Sequence, residues 1–261
     1  GLLGQNNPVH FHHKRKEALK KADLIILAGL PVDFRLNYGS GFSREAKKIT
    51  INLNKPELRK NINPQQTIHC NPAHCIISLQ KETSAWPSWN DWKKELKEQE
   101  AKRESEINEM AARSGNSINP VSLFKKMEQL LPSNSIFIAD GGDFAATCSY
   151  ILHPRKPLGW LDAGLFGTLG AGAGFAIGTA LCNPGDYVFI VYGDGSAGYS
   201  ITEFDPFTKL GLKVCAIVGN NGSWAQVARE QVTLLGADTA TVIPRSNYQL
   251  IAKSFGADGE R

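Results

Sequence analysis

The sequence lacks the features that indicate a membrane-spanning, secreted or nucleic-acid-binding protein. It contains no apolar run long enough to cross a membrane, and its first residues lack the basic start and apolar stretch of a signal peptide. Its net charge is only +4, and basic residues are mixed with acidic ones rather than gathered in a block. We therefore expect neither a nucleic-acid partner nor direct membrane contact from this part of the chain.

Cysteine is also scarce, with five residues scattered along the chain. An odd, dispersed set predicts reduced thiols rather than a disulfide framework. The cluster of His69, Cys70, His74 and Cys75 leaves a zinc site open as an alternative. No second ligand group with finger-like spacing follows it, so the pattern favours a loop that opens a helix.

Two apolar runs are each followed by a turn that contains an Asp or Asn side chain. Residues 187–192 lead into Gly-Asp194-Gly-Ser, and residues 214–218 lead to a pair of asparagines that ends at Asn221. Residues 200–211 between them suit a crossover helix, which its proline would kink. Since parallel strands end at the same edge of a sheet, the two side chains are predicted to offer hard oxygen ligands to one Mg²⁺ ion.

Gly-Asp-Gly alone is common turn chemistry, so the interpretation depends on its surroundings. Residues 160–180 form a loop that turns into a helix of small residues, which allows close backbone approach. The alternative for this helix is a tightly packed core element. Residues 135–140 predict a further buried strand, followed by glycines and a helix. Together these segments predict a metal and diphosphate site at one sheet edge.

The motifs resemble those of the thiamine diphosphate enzymes, whose cofactor-binding motif begins with Gly-Asp-Gly and ends with Asn-Asn. The resemblance implies thiamine diphosphate and Mg²⁺ as cofactors. It implies the side chains of Asp194 and Asn221 and the backbone carbonyl of Ser223 as metal ligands. Gly195 and Ser196 are expected to contact the diphosphate.

The same resemblance implies roles for the loop before the small-residue helix. The Gly167 carbonyl and the Leu169 N–H would hold the aminopyrimidine ring, Thr168 belongs to the same cofactor-binding loop, and the Leu169 side chain would wedge beneath the cofactor and bend it. Gly142 would lie against the diphosphate. Asp143 departs from the polar residue that relatives place there, because a carboxylate repels phosphate, and we expect it to cap the following helix.

The chain is predicted to contain two α/β domains, each with a parallel, nucleotide-fold-like sheet. Residues 1–81 are assigned to a partial central domain, 82–118 to a charged helical linker, and 119–261 to a thiamine diphosphate-binding domain that stops before its last helix and strand. The resemblance implies that the central domain binds FAD, an adenine nucleotide or the CoA end of a substrate. Arg35 is a candidate phosphate partner there, with an ordinary surface charge as the alternative.

Within the family, residues 28–39, 140–144 and 229–232 resemble the 2-hydroxyacyl-CoA lyases. The implied reaction cleaves a long-chain 2-hydroxyacyl-CoA, an acyl-CoA substrate, into formyl-CoA and a fatty aldehyde one carbon shorter. The alternatives left open are an acetolactate synthase-like carboligase, an oxalyl-CoA decarboxylase and a non-catalytic subunit that binds the cofactor without turnover.

The resemblance also implies an activating glutamate from an amino-terminal pyrimidine-binding domain of a second subunit. No residue here is assigned that role, so we expect this chain to be part of a longer homo-oligomeric enzyme whose amino end has been cut away. Relatives further imply an anchor in the endoplasmic reticulum membrane, outside this sequence, with a mitochondrial or peroxisomal location as the alternative.

Overall fold

The computed structural model describes residues 7–82 and 87–261. They divide into two compact units: Phe11–Ser105, called here the amino-terminal unit, and a carboxyl-terminal unit that includes Glu106–Arg261. Each unit contains a parallel sheet with helices, which confirms the predicted α/β class. The division falls inside the stretch assigned to the linker, and the domain bounds given above stay predictions.

The amino-terminal unit contains a three-stranded parallel sheet in the order β1-β2-β3. Its helices and strands are α1 Arg15–Lys21, β1 Leu24–Ala28, β2 Lys47–Asn52, β3 Gln66–His69 and α2 Pro72–Glu82, followed by α3 Asn90–Ala111, which contains the division between the units. Burial alternates along β1, where Ile25 and Leu27 are buried while Leu24 and Ile26 are exposed. One face of β1 is therefore buried and the other exposed.

The carboxyl-terminal unit contains a four-stranded parallel sheet in the order β5-β4-β6-β7. Its helices and strands are α4 Pro120–Leu130, β4 Ser135–Gly141, α5 Gly142–Ser149, β5 Trp160–Asp162, α6 Ala171–Cys182, β6 Tyr187–Gly193, α7 Asp194–Ser200, α8 Phe204–Lys209, β7 Val214–Gly219, α9 Ala225–Leu235 and α10 Tyr248–Ser254.

The central strands of this sheet are buried on both faces, as expected for apolar runs in parallel strands. Ile138 of β4 and Ile190 of β6 belong to one core cluster, packed with the alanines of α6. Phe137 and Val191 point to the opposite face and pack with Phe124 of α4. The two clusters fix β4 and β6 between layers of helices, so the ends of these strands have a defined position.

The crossover between β6 and β7 differs from the predicted single helix. Helix α7 begins directly at Asp194, a 3-10 turn follows at Ile201–Glu203, and α8 begins at Phe204. Pro206 lies in the first turn of α8, where its missing N–H costs no helical hydrogen bond. The interruption therefore precedes the proline instead of being a kink at it.

In the described residues, no helix combines the length and the apolar content that crossing a bilayer requires.

Replacing Ile190 with alanine should destabilise the carboxyl-terminal unit, because Ile190 is 0% exposed in the central strand. Large-to-small changes at such positions cost about 2–5 kcal/mol through lost burial and a residual cavity. Urea denaturation should show a clearly lower midpoint for Ile190→Ala. Leu210→Ala is the matched control, since Leu210 is 55% exposed, and a similar shift for both variants would contradict the assigned core.

Candidate functional site

Three neighbouring strands of the carboxyl-terminal unit end in glycine at one edge of the sheet. Gly193 of β6 is the register partner of Gly219 of β7, and Gly141 of β4 pairs with Tyr192. A Cβ atom added to Gly193 would lie 3.2 Å from the Gly141 carbonyl oxygen. The glycines therefore allow the backbone at this edge to pack more closely than side chains would permit.

A cavity of about 130 Å³ opens at this glycine edge. The predicted site residues that line it are Gly142, Leu169, Asp194, Gly195, Ser196, Asn221 and Ser223. Gly167 and Thr168 are exposed in the turn before α6 and do not line the cavity. The structure thus brings together residues from four separate segments of the sequence.

Asp194 is buried beneath the cavity, with 3% of its surface exposed. Its carboxylate accepts hydrogen bonds from the backbone N–H of Gly195 (2.9 Å) and of Gly222 (2.5 Å), one on each oxygen. The hydroxyl of Tyr248 donates to the backbone carbonyl of Asp194 at 2.7 Å. These contacts fix the carboxylate, and each of its oxygens still has a lone pair with which to bind a cation.

The loop after β7 supplies the other predicted ligands. The Asn221 side-chain oxygen accepts a hydrogen bond from the Ser223 N–H at 3.0 Å, and Gly222 ties the same loop to Asp194. A carboxylate, an amide oxygen and a backbone carbonyl are hard donors of the kind that Mg²⁺ binds. The residues present at this edge therefore fit a Mg²⁺ site.

Zinc has no comparable support. Within residues 7–82 and 87–261, no group of three or more His, Cys, Asp and Glu side chains is placed to hold a metal ion. Cys70 instead follows β3 and precedes α2, in the loop that opens a helix.

Asp140, which the sequence analysis did not single out, organises the loop on the other side of the cavity. Its buried carboxylate accepts hydrogen bonds from the N–H groups of Gly170 (2.7 Å) and Gly172 (2.6 Å), at the start of α6. Burial raises the pKa of Asp140, although these two hydrogen bonds favour its ionised form. The register of β4 against β6 shifts between Ala139 and Gly141, a bulge that re-aims the side chain between them.

The hydrogen bond between Asp140 and Gly170 also positions Leu169, which directly precedes Gly170. The Leu169 Cδ2 atom lies 2.3 Å from where a Cβ of Gly141 would stand. The side chain therefore packs onto the end of β4 and forms part of the cavity wall. A carboxylate at the end of a buried strand is the only sequence signal for Asp140. Nothing near it in the sequence indicates that its partners lie 30 and 32 residues further along the chain.

Aromatic rings complete the wall. The six-membered part of the Trp224 indole lies against Gly195, and Phe144 lies against Gly219. Trp224 also faces Tyr199, with ring centroids 6.3 Å apart. Both Trp224 and Phe144 line the cavity, so its wall combines aromatic rings with oxygen-bearing side chains.

Asp143 does not cap α5, and that expectation was wrong. No side chain caps the start of this helix. The Asp143 carboxylate instead forms an ion pair with the guanidinium group of Arg229 in α9. A partner distant in the sequence has replaced the local interaction that a capping pattern predicts.

In the amino-terminal unit, Arg35 forms an ion pair with Asp33. Its Nε and NH2 groups donate to the two oxygens of Asp33 at 3.0 and 2.9 Å. The hydrogen bonds from Arg35 hold the pKa of the Asp33 carboxyl below its usual value. A phosphate bound by Arg35 would have to share or displace this partner, and the phosphate role stays a prediction.

The chain is similar to known proteins, both in the region of the site and over its whole length. Residues 140–261 match the family model described as thiamine pyrophosphate enzyme, C-terminal TPP binding domain. The chain is 42% identical over 264 residues to 2-hydroxyacyl-CoA lyase 2 of Danio rerio and, over the same length, 42% identical to that of Homo sapiens. It is 27% identical over 262 residues to "Probable acetolactate synthase" of Mycobacterium bovis.

These alignments cover nearly the whole chain but only part of each relative. They include 99% of the chain and 42% of either lyase, and 100% of the chain and 47% of the bacterial protein. The chain thus spans less than half the length of these relatives.

The packing of Trp224 on Gly195 predicts different effects for two glycines of α7. A Cβ at Gly195 would lie 2.3 to 2.8 Å from three atoms of the indole, whereas the nearest atom to a Cβ at Gly198 is 3.9 Å away. Gly195→Ala should therefore displace the ring and cost about 1–3 kcal/mol. Gly198→Ala should be neutral or slightly stabilising, since alanine favours a helix.

Urea denaturation of both variants, followed by tryptophan fluorescence, checks this pair. Gly195→Ala should also change the native emission spectrum, because the environment of Trp224 changes. Equal stability of the two variants would show that the ring does not rest on Gly195.

Proposed function

Because the chain belongs to the thiamine diphosphate enzymes, we propose that its carboxyl-terminal unit binds thiamine diphosphate with Mg²⁺, and that the full-length protein cleaves 2-hydroxyacyl-CoA. The observation that carries this proposal is the convergence of Asp194, Asn221 and Ser223 on a cavity at the glycine edge. The match of residues 140–261 to the cofactor-binding domain and the identity to two lyases support it.

The oxygen ligands and the glycine backbone of the cavity have different roles in this proposed site. Asp194, the Asn221 side chain and the Ser223 carbonyl hold the metal, which is typical of the family and neutralises phosphate charge. We assign the phosphate oxygens to the backbone around Gly142 and Gly195, although the Trp224 indole fills the space that a Cβ of Gly195 would take.

The Ser196 hydroxyl has a second, structural function beside the proposed phosphate contact. It is 2% exposed and donates to the Gly193 carbonyl at 3.1 Å. A hydroxyl has a single proton to donate, so a hydrogen bond from Ser196 to a phosphate oxygen would replace the one to this carbonyl. We place it at the base of the diphosphate site.

The loop that begins at Gly167 provides the ring-binding side. We propose that the Gly167 carbonyl and the Leu169 N–H hold the aminopyrimidine, with Thr168 between them. The Leu169 side chain, packed on Gly141, is placed to support the bent cofactor.

When bound, thiamine diphosphate supplies a nucleophilic carbon and accepts the electron pair released when the C1–C2 bond of the substrate breaks. The products are formyl-CoA and an aldehyde shortened by one carbon. The proposed role of the residues of this chain is to bind and orient the cofactor. We assign the activating glutamate to a second subunit of a homo-oligomer, and a location at the endoplasmic reticulum membrane to a segment outside this sequence.

A carboligase of the acetolactate synthase type is the second candidate, favoured by the 27% identity to the bacterial protein. The two reactions use the same cofactor residues and differ in substrate. Purified full-length protein should release a long-chain aldehyde and formyl-CoA from 2-hydroxyacyl-CoA, measured by mass spectrometry. Formation of acetolactate from pyruvate without aldehyde release would favour the carboligase instead.

Asp194→Asn should weaken thiamine diphosphate binding in the presence of Mg²⁺ by more than about tenfold, or about 1.4 kcal/mol. The amide keeps an oxygen that accepts a backbone hydrogen bond but removes the charge that the metal requires. Titration calorimetry of the apo-enzyme measures the change. Asp205→Asn is the control, because Asp205 is a carboxylate of α8 that does not line the cavity; equal affinities for Asp194→Asn and wild type would refute the metal site.

Leu169→Ala should lower turnover more than cofactor affinity, because the metal holds the diphosphate while the leucine supports the bend. Leu165→Ala, in the same loop but absent from the cavity wall, provides the control. Steady-state kinetics and calorimetry compare the two quantities. A proportional loss of turnover and affinity would indicate that Leu169 only fills space.

A further inference from the structure

Asp143 is a charged residue in an unexpected place. It lies in the first turn of α5 and lines the cavity together with Gly142 and Asp194. Among the described residues that line the cavity, the charged ones are these two aspartates, without a Lys, Arg or His. A diphosphate, which is strongly anionic, would thus meet two carboxylates, of which the metal is expected to neutralise only Asp194.

Arg229 supplies the missing positive charge from outside the cavity. Its guanidinium group pairs with the Asp143 carboxylate, and the two side chains are 67% and 28% exposed. Arg229 lies one helical turn beyond Ala225, which does line the cavity. The ion pair therefore joins α9 to α5 through a residue of the cavity wall.

We propose that Arg229 neutralises the Asp143 carboxylate beside the diphosphate site and thereby sets the affinity of the protein for its cofactor. The inference rests on the proposed function, because it takes the diphosphate to occupy this cavity. Arg229 is a positioning and charge-compensating residue in this role. Its effect on the cofactor passes through Asp143, since its guanidinium group is already engaged there.

An exposed ion pair adds little to folding stability, so removing it should leave the protein folded. Its effect on a nearby anion is different, because the repulsion of an unpaired carboxylate acts directly on the ligand. In a largely solvated setting, one such charge changes affinity by about fivefold, equivalent to about 1 kcal/mol. Salt should reduce the effect, since it screens exposed charges.

The test is a double-mutant cycle on the full-length apo-enzyme, titrated with thiamine diphosphate at saturating Mg²⁺. Arg229→Gln should raise the dissociation constant by about fivefold at low salt. Asp143→Asn alone should leave it unchanged or lower it. The double variant Asp143→Asn/Arg229→Gln should return it close to the wild-type value, because the unpaired carboxylate is then absent.

The double variant separates compensation from direct contact. If Arg229 bound the phosphates itself, the double variant would stay as weak as Arg229→Gln, and the proposal would be overturned. An unchanged dissociation constant in Arg229→Gln would overturn it as well. Arg229→Lys, which keeps the positive charge, should preserve the affinity.

Two controls complete the experiment. Lys209→Gln removes the cation of another exposed ion pair in the same unit, with Asp205, and should not change cofactor binding. Thiamine without phosphates should bind wild type and Arg229→Gln equally. If wild type does not bind thiamine diphosphate, the proposed function fails; if it binds and the cycle shows no coupling, only the role of Arg229 fails.

Discussion

The close parallel packing of β4, β6 and β7 is the constraint on which the site depends. Their carboxyl ends stop side by side at Gly141, Gly193 and Gly219, where added Cβ atoms would meet a backbone carbonyl, Leu169 or Phe144. Strands β4 and β6 hold this position because their interior residues are buried on both faces between helices, and β7, which is only partly buried, pairs along β6. Every group proposed to bind the cofactor lies in a helix or loop that begins at, or packs onto, these three strand ends.

Much of this edge is predictable from sequence because its determinants are local. An apolar run followed by Gly-Asp-Gly or by two asparagines specifies a strand end and its side chains, and parallel strands necessarily end together. Asp194 and Asn221 were therefore predicted to meet, and both line the cavity. The roles assigned to them as metal ligands remain predictions that the cofactor-binding measurements address.

Interactions between distant segments were the ones that local patterns missed. Asp140 accepts hydrogen bonds from Gly170 and Gly172, and Tyr248 donates to the backbone of Asp194. The residues next to Asp140 and Tyr248 in the sequence do not indicate these partners. For Asp143, a local pattern predicted an interaction that does not form. The residue was expected to cap its own helix, but its carboxylate pairs with Arg229, which is distant in the sequence.

The two aspartates of the cavity also differ in how firmly they are held. Asp194 is buried, and its carboxylate accepts two backbone hydrogen bonds, so its geometry is fixed before any ligand arrives. Mg²⁺ demands near-ideal octahedral geometry, and a preset ligand meets that demand at little entropic cost. Asp143 is held by a single exposed arginine. Such an exposed contact adds little to stability, and we assign its role to the charge of Asp143, which lines the cavity where the anion is proposed to bind. We therefore attribute the proposed metal binding to the fixed position of Asp194, and the proposed effect of the Asp143–Arg229 pair to its charge.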